Sequence, residues 1–277
     1  MPIVARNEVH LFYETYSRSG DPTVLVHGSW ADHASWARLV PSLSEALALT
    51  AYDRRGHGAS RGPVRDRPVR DDAGDLALLL ESIDLFPAHV IGHSYGGAVA
   101  LRLAIDRPEL VRSVALHEPL FVGLLDDGDA TDRATAHAAR SEIQRLRATA
   151  RAGDAEGAAR AFARWLSPES GPWGPADPGS RARFVERAER SVEEYGDPEA
   201  TAPSRAELGA LDLPVLLTTG ELSLALFHRI QRELSHVLRN ATTRTLPETG
   251  HVPHLTDPAV YAGALVTFLL ERDVPST

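Results

Sequence analysis

The stretch AHVIGHSYGGAVALRLAIDRP, residues 88–108, decides the fold. AHVI (88–91) is a short apolar run with the character of a strand, and YGGAVALRLAID (95–106) has the pattern of a helix stopped before Pro108. Between them GHSYGG (92–97) fits G-x-S-x-G. Strand, tight turn and helix in that order are the context a nucleophile elbow requires. The reason is steric. Ser94 must sit on a strained turn to project its hydroxyl, and the helix then returns close beside the strand. Gly92, Gly96 and Gly97 leave the space that side chains would fill. An ordinary Gly-rich turn is the competing reading, and the flanking strand and helix favour the nucleophile.

The pattern continues on both sides. EVHLFYETY (8–16) alternates apolar and polar residues, TVLVHG (23–28) is β-rich, and residues 48–58 read as a strand broken at glycines. Helical spacing is predicted over 35–46 (Trp36, Leu39, Val40, Leu43, Leu47) and over 71–83. VRSVALHEP (111–119) is the sixth strand, LPVLLTTG (213–220) the seventh, and a strand near 242–246 is flanked by helices over 224–235 and 258–271. Alternating strands and helices predict an α/β fold, a mostly parallel sheet with helices on both faces. Residues 120–207 break the rhythm: helices are predicted over 130–151, 153–166 and 180–195, and no strand. SPESGPWGPADPGS (167–180) reads as a loop, and the acidic run 126–132 as a solvated loop rather than a metal site. The core therefore spans 1–119 and 208–277, with 120–207 a helical insertion.

Composition narrows the function. The 277 residues exceed a typical single domain, yet 43% are apolar, enough for one large core carrying an insertion. The formal charge of −9 disfavours nucleic acid, whose phosphates need a positive surface. Every basic residue is Arg, which reads as codon usage rather than mechanism. Without cysteine there is no disulfide, thiolate or cysteine-held metal. The opening MPIVARNEVHLFYE has no apolar signal-peptide core, and no apolar run reaches membrane-spanning length, so a cytoplasmic protein without a membrane partner is expected. Oligomeric state stays open, a homodimer included.

A serine nucleophile needs a base. HVPHLTDP (251–258) offers His251 in a loop after the last strand. HGSW (27–30) ends the third strand, and the backbone N–H of Ser29, with that of Tyr95 just after the nucleophile, makes a candidate oxyanion hole. His57, His93 and His254 read as structural. Arg54 and Arg55 read as loop braces, recognition of a substrate carboxylate being the minority alternative.

HGSW, DRRGHGAS (53–60), GHSYGG and GHVPH (250–254), in this order, resemble the α/β-hydrolase superfamily. The likeness covers nearly all of the chain outside 120–207. It implies an eight-stranded sheet, a helical cap inserted after strand 6, a lidded pocket at the strand C-terminal ends, and a serine hydrolase that uses no cofactor and no metal. Relatives that cleave epoxides or carbon–halogen bonds usually carry Asp at the nucleophile position, where this chain has Ser94. Many relatives place the triad acid three residues past a glycine that ends the seventh strand. Here that position, after Gly220, is Ser223. Three explanations stay open: Glu118 at the end of the sixth strand, Glu221 in a shifted loop, or no carboxylate at all. Trp30, Phe121, Leu226, Phe227 and Val252 are candidate pocket residues, with Trp165 and Trp173 on the cap and the 167–180 loop as a candidate lid. The expected substrate is a small or medium apolar ester, thioester or lactone. Hydrolysis of a C–C bond, a non-hydrolytic cyclase or lyase reaction and ligand sensing are the alternatives.

Overall fold

The computed structural model describes residues 2–64, 68–166 and 178–270. In chain order the elements are β1 (Ile3–Arg6), β2 (Val9–Thr15), β3 (Asp21–Val26), α1 (Val40–Leu43), β4 (Leu47–Tyr52), α2 (Val69–Ser82), β5 (Ala88–His93), α3 (Tyr95–Asp106) and β6 (Val111–His117). Then follow α4 (Ala130–Arg151), α5 (Ala155–Leu166), α6 (Pro178–Glu186), α7 (Ala188–Glu193), α8 (Pro198–Thr201) and α9 (Arg205–Ala210). The chain closes with β7 (Val215–Gly220), α10 (Ala225–Val237), β8 (Ala241–Leu246), α11 (Pro253–Thr256) and α12 (Pro258–Leu270).

The eight strands form one sheet in the order β1-β2-β4-β3-β5-β6-β7-β8. β1–β2 and β2–β4 pair antiparallel, and every later pair is parallel. Alternation along the central strands fills both faces. Val24, Val26, Val90, Val114, Leu116, Val215 and Leu217 face one core with α2, α3 and α10. Leu25, Ile91, Ala115 and Leu216 face the other with Trp36, Leu43, Tyr261 and Leu265. The chain runs from β3 outward to β4, then returns to place β5 on the other side of β3. The C-terminal ends of β3 and β5 therefore flank the switch point of the sheet, where open α/β sheets leave a crevice.

The cap helices α4 to α9 lie between β6 and β7, and no strand occurs there among the described residues. The 167–180 loop and Trp173 lie outside the described residues, apart from the start of α6. Three expected elements differ in extent. The helix over 35–46 is instead a 3₁₀ turn (His33–Trp36) and the single turn α1, because Pro41 lacks the N–H that would carry an α-helical bond back into the preceding turn and is tolerated only in the first turn of α1. Its apolar residues Trp36, Leu39, Val40 and Leu43 are buried all the same. The strand over 48–58 stops at Tyr52, and the segment 180–195 divides into α6, α7 and a 3₁₀ turn (Glu194–Gly196). The acidic run is not simply solvated. Asp129 caps α4, and buried Asp132 accepts from Arg229 and Arg232 at 2.6 Å each, tying the cap to α10.

The turn after β5 leaves no room for side chains. A Cβ on Gly92 would lie 2.5 Å from the Gly96 carbonyl oxygen, and one on Gly96 would lie 2.2 Å from that of Val26. Both obstacles are backbone, so neither can rotate away. Gly92→Ala is expected to lower stability by about 3 kcal/mol or more. An unchanged urea midpoint in this variant would contradict the packing described here.

Candidate active site

Ser94 follows β5 in a conformation few L-residues adopt, φ 53° and ψ −120°. Its N–H donates to the His117 carbonyl, 2.9 Å away on neighbouring β6. Helix α3 begins at the next residue, so the N–H of Tyr95 has no carbonyl within its own helix to bond. Across the switch point, Gly28 comes so close that a Cβ on it would sit 3.1 Å from Ser94 Cβ. The structure thus brings the HGSW loop, with Ser29, against the turn that carries Ser94.

Glu118 follows β6 at φ 48° and is buried. Its N–H donates to the Thr218 carbonyl on β7, and its side chain turns back across the same pair of strands. Oε1 accepts from the Gly220 N–H at 2.8 Å, and Oε2 accepts from His251 Nδ1–H at 2.7 Å. Glu118 and His251 are therefore joined, as the first of the three explanations for Ser223 anticipates. Glu221 is exposed and faces away, accepting from the Glu248 N–H at 3.0 Å. The Ser223 hydroxyl is buried near the Glu118 carboxylate but has no hydrogen-bond partner of good geometry.

Burial by itself would raise the Glu118 carboxyl. The neighbouring His117, and the hydrogen bond and charge of His251, outweigh burial and hold it at about 2. The carboxylate is thus anionic throughout the useful pH range, the state that fixes an imidazole tautomer and stabilises an imidazolium. His251 is held from three sides. Glu118 takes its Nδ1–H, Phe227 stacks on its ring at 4.8 Å, and His93 Nε2–H donates to its carbonyl at 2.7 Å. With Nδ1 occupied, Nε2 is the nitrogen left to receive a proton.

His93 and His254 are buried under this loop, where His254 packs on Trp36 at 4.7 Å. Of the candidate pocket residues, Phe227 touches His251, and Trp30 stacks on Phe162 of the cap at 3.8 Å. Phe121 and Leu226 are buried in the core on the same face of the sheet, and Val252 is half-buried beside His251. Trp165 meets Phe162 edge-on within the cap.

One buried cluster has no counterpart in the sequence reading. Glu194, in the 3₁₀ turn after α7, accepts from Arg54 at 2.7 Å, His57 Nε2–H at 2.8 Å and the Ser29 hydroxyl at 2.5 Å. Burial would raise its carboxyl, but Arg54 and His57 hold it well below the usual range. The guanidinium of Arg54 also lies over the Tyr95 ring at 4.6 Å, and Tyr95 donates its hydroxyl to Asp72 at 3.1 Å. Arg54 is thus a brace, as expected, but of the cap as well as of the loops. In SVEEYG (191–196) Glu194 reads as one more acid on a polar helix face, and no local signal in the sequence sets it apart.

A sheet with a serine turn at its switch point and a carboxylate-held histidine beside it defines an enzyme of the hydrolase type. The chain belongs to the alpha/beta hydrolase family, whose pattern it matches over residues 23–264. It is 27% identical over 270 residues to RutD of Pseudomonas syringae pv. syringae, a proposed carbamate hydrolase, covering 94% of this chain and 98% of that one. A local match, 35% over 111 residues, links it to the dihydrolipoyllysine-residue acetyltransferase component of the acetoin cleaving system of Cupriavidus necator, of which it spans only 30%. In fold it is similar to the enol-lactonase from Burkholderia xenovorans LB400, with TM-score 0.75, 21% identity and coverage of 97% of this chain and 99% of that one. No helix among the described residues is long and apolar enough to cross a membrane.

Burial lowers the His117 imidazole to about 4 and that of His254 to about 3. Both folded values lie below the unfolded value of about 6.5, so the unfolded chain binds more protons between them. The stabilising contribution is complete above about pH 6.5 and is lost as pH falls through the folded values. Chemical denaturation from pH 7 to pH 4 is expected to show stability falling with acid, and His117→Gln to remove about 3 kcal/mol of that fall. Identical slopes in the two proteins would rule out this assignment.

Proposed function

We propose that the protein is a serine hydrolase that cleaves a small or medium apolar ester, thioester or lactone through an acyl-enzyme. The observation that carries this reading is the 2.7 Å bond from His251 to Glu118, beside a serine on a strained strand-end turn. Ser94 Oγ attacks the carbonyl carbon while His251 Nε2 takes its proton. Glu118 stabilises the resulting imidazolium. The N–H groups of Ser29 and Tyr95 receive the developing oxyanion, and His251 returns the proton to the leaving group. Water, deprotonated by the same imidazole, then releases the acid. The full-length likeness to RutD supports attack on an acyl carbon, since a carbamate is a carboxyl derivative. The pocket is assigned to the space between the core and the described cap helices α4 to α9, with Trp30, Phe121, Leu226, Phe227 and Val252 on its core side. No cofactor or metal takes part in these steps.

A fluorophosphonate probe is expected to label the wild type, and Ser94→Ala to abolish both labelling and hydrolysis of p-nitrophenyl butyrate. Labelling that survives in Ser94→Ala removes Ser94 as nucleophile. Glu118→Gln is expected to lower kcat by on the order of 10³ to 10⁴, since a wrongly held imidazole loses that much. Glu221→Gln is expected to stay within about twofold of wild type, as surface changes away from a site do. Equal, small effects of the two Gln variants would end the assignment of Glu118.

A further inference from the structure

The HGSW loop is gripped from both the core and the cap. On the core side, Arg54 Nε donates to the His27 carbonyl at 3.0 Å and its Nη2 to the Gly28 carbonyl at 3.1 Å. His27 Nδ1–H donates to the same Gly28 oxygen at 2.8 Å, while its Nε2 accepts from the Arg54 N–H at 3.0 Å. On the cap side, Glu194 holds the Ser29 hydroxyl, and Ser191 Oγ accepts from the Trp30 N–H at 2.8 Å. Arg187 donates to the Trp30 carbonyl at 3.2 Å and pairs with Asp32. Trp30 itself is held at φ 59°. Tyr195, the residue after Glu194, is buried, and its hydroxyl interacts with those of Ser29 and Ser94.

These contacts have a directional consequence. The peptide joining Gly28 to Ser29 is planar and trans, so its C=O and N–H point in opposite directions. Two donors draw the Gly28 oxygen towards Arg54, which turns the Ser29 N–H the other way, out of the ion pair. The Arg54 side chain carries only donors, and the Glu194 oxygens already accept from Arg54, His57 and the Ser29 hydroxyl. An anion near a developing oxyanion opposes catalysis unless it is neutralised. Here Arg54 and, at 3.9 Å, Arg190 offset Glu194. The arrangement keeps the carboxylate as a hydrogen-bond acceptor while cancelling its field.

We infer that Arg54 and Glu194 are positioning residues that aim the Ser29 amide, so that the cap residues Ser191 and Glu194 help to build the oxyanion hole. The cap is then part of the catalytic assembly as well as a cover. This inference rests on the acyl-transfer reading of Ser94.

Two variants isolate it. Arg54→Lys keeps the buried positive charge opposite Glu194 but loses the fork that holds two carbonyls. Ser29→Ala keeps the backbone amide and removes only the hydroxyl that Glu194 holds. Saturating fluorophosphonate counts competent Ser94 sites, and kcat for p-nitrophenyl butyrate is taken per labelled site. Each variant is expected to lose roughly 10- to 100-fold in kcat with KM within about twofold, because the hole acts on the transition state. Affinity for phenylboronic acid, which forms a tetrahedral adduct with serine, is expected to fall in parallel with kcat. Should Arg54→Lys fail to fold, Ser29→Ala decides alone. Wild-type kcat per labelled site in Ser29→Ala overturns the inference and leaves the Ser94 reading standing. Absence of label in the wild type overturns both.

Discussion

The buried carboxylate of Glu118 is the constraint around which the site is arranged. A carboxylate taken from water costs several kcal/mol unless its oxygens are satisfied. Here both are, one by the Gly220 N–H and the other by His251. The first bond uses the last amide of β7, which would otherwise need an acceptor beyond the end of its own ladder. The second draws the loop after β8 down over the ends of β6 and β7. Leu222 N–H reinforces this by donating to the Thr249 carbonyl, and Gly220 allows it, since a Cβ there would lie 2.4 Å from that oxygen. Remove the charge from Glu118 and two neighbouring strand ends and one loop lose their common partner.

The second buried charge, Glu194, does for the cap what Glu118 does for the loop that carries His251. A buried ion pair is weak evidence of net stability, because desolvation offsets most of the attraction. What such a pair does supply is penalty against alternatives. With Arg54 fully buried and bound to two carbonyls of the HGSW loop, any docking of the cap that moves Glu194 leaves this cation with only the more distant Asp72 carboxylate, at 3.9 Å, to offset it. Stacking of Trp30 on Phe162 adds contact area, and aromatic faces tolerate sliding far better than a hydrogen-bonded carboxylate does. The apolar contacts thus hold the cap on, and the polar ones decide where it sits.

Much of this was legible in the sequence. The elbow could be read because three constraints coincide in a few residues: an apolar strand, glycines at fixed offsets and a helix. The apolar period of 35–46 marked the right core residues, Trp36, Leu39 and Leu43, but Pro41 prevented a continuous helix. Glu118 was readable as a candidate because sheet order makes β6 and β7 neighbours, and only the structure shows which way its side chain turns. Glu194 was not readable. Its burial depends on how a helical insertion docks, a tertiary contact across 140 residues to Arg54 that leaves no local periodicity. The same holds for Ser191, a small polar residue whose partner is the Trp30 N–H far away in the chain.

Three residues with left-handed backbone, Trp30, Ser94 and Glu118, end or follow β3, β5 and β6. Each such residue costs on the order of 1–3 kcal/mol and survives only where its surroundings leave no alternative. The three strands are consecutive in the sheet, so the strained positions form a row along its C-terminal edge. A strand cannot shift along its neighbours without moving every core side chain to the wrong face. The sheet therefore supplies rigidity that loops of this length lack, and the sharp turns convert that rigidity into fixed directions for one hydroxyl, one carboxylate and one amide-bearing loop. On this view an imidazole responds to where the carboxylate oxygen lies rather than to which strand carries it, and the ends of β6 and β7, being adjacent, can reach the same place by different turns.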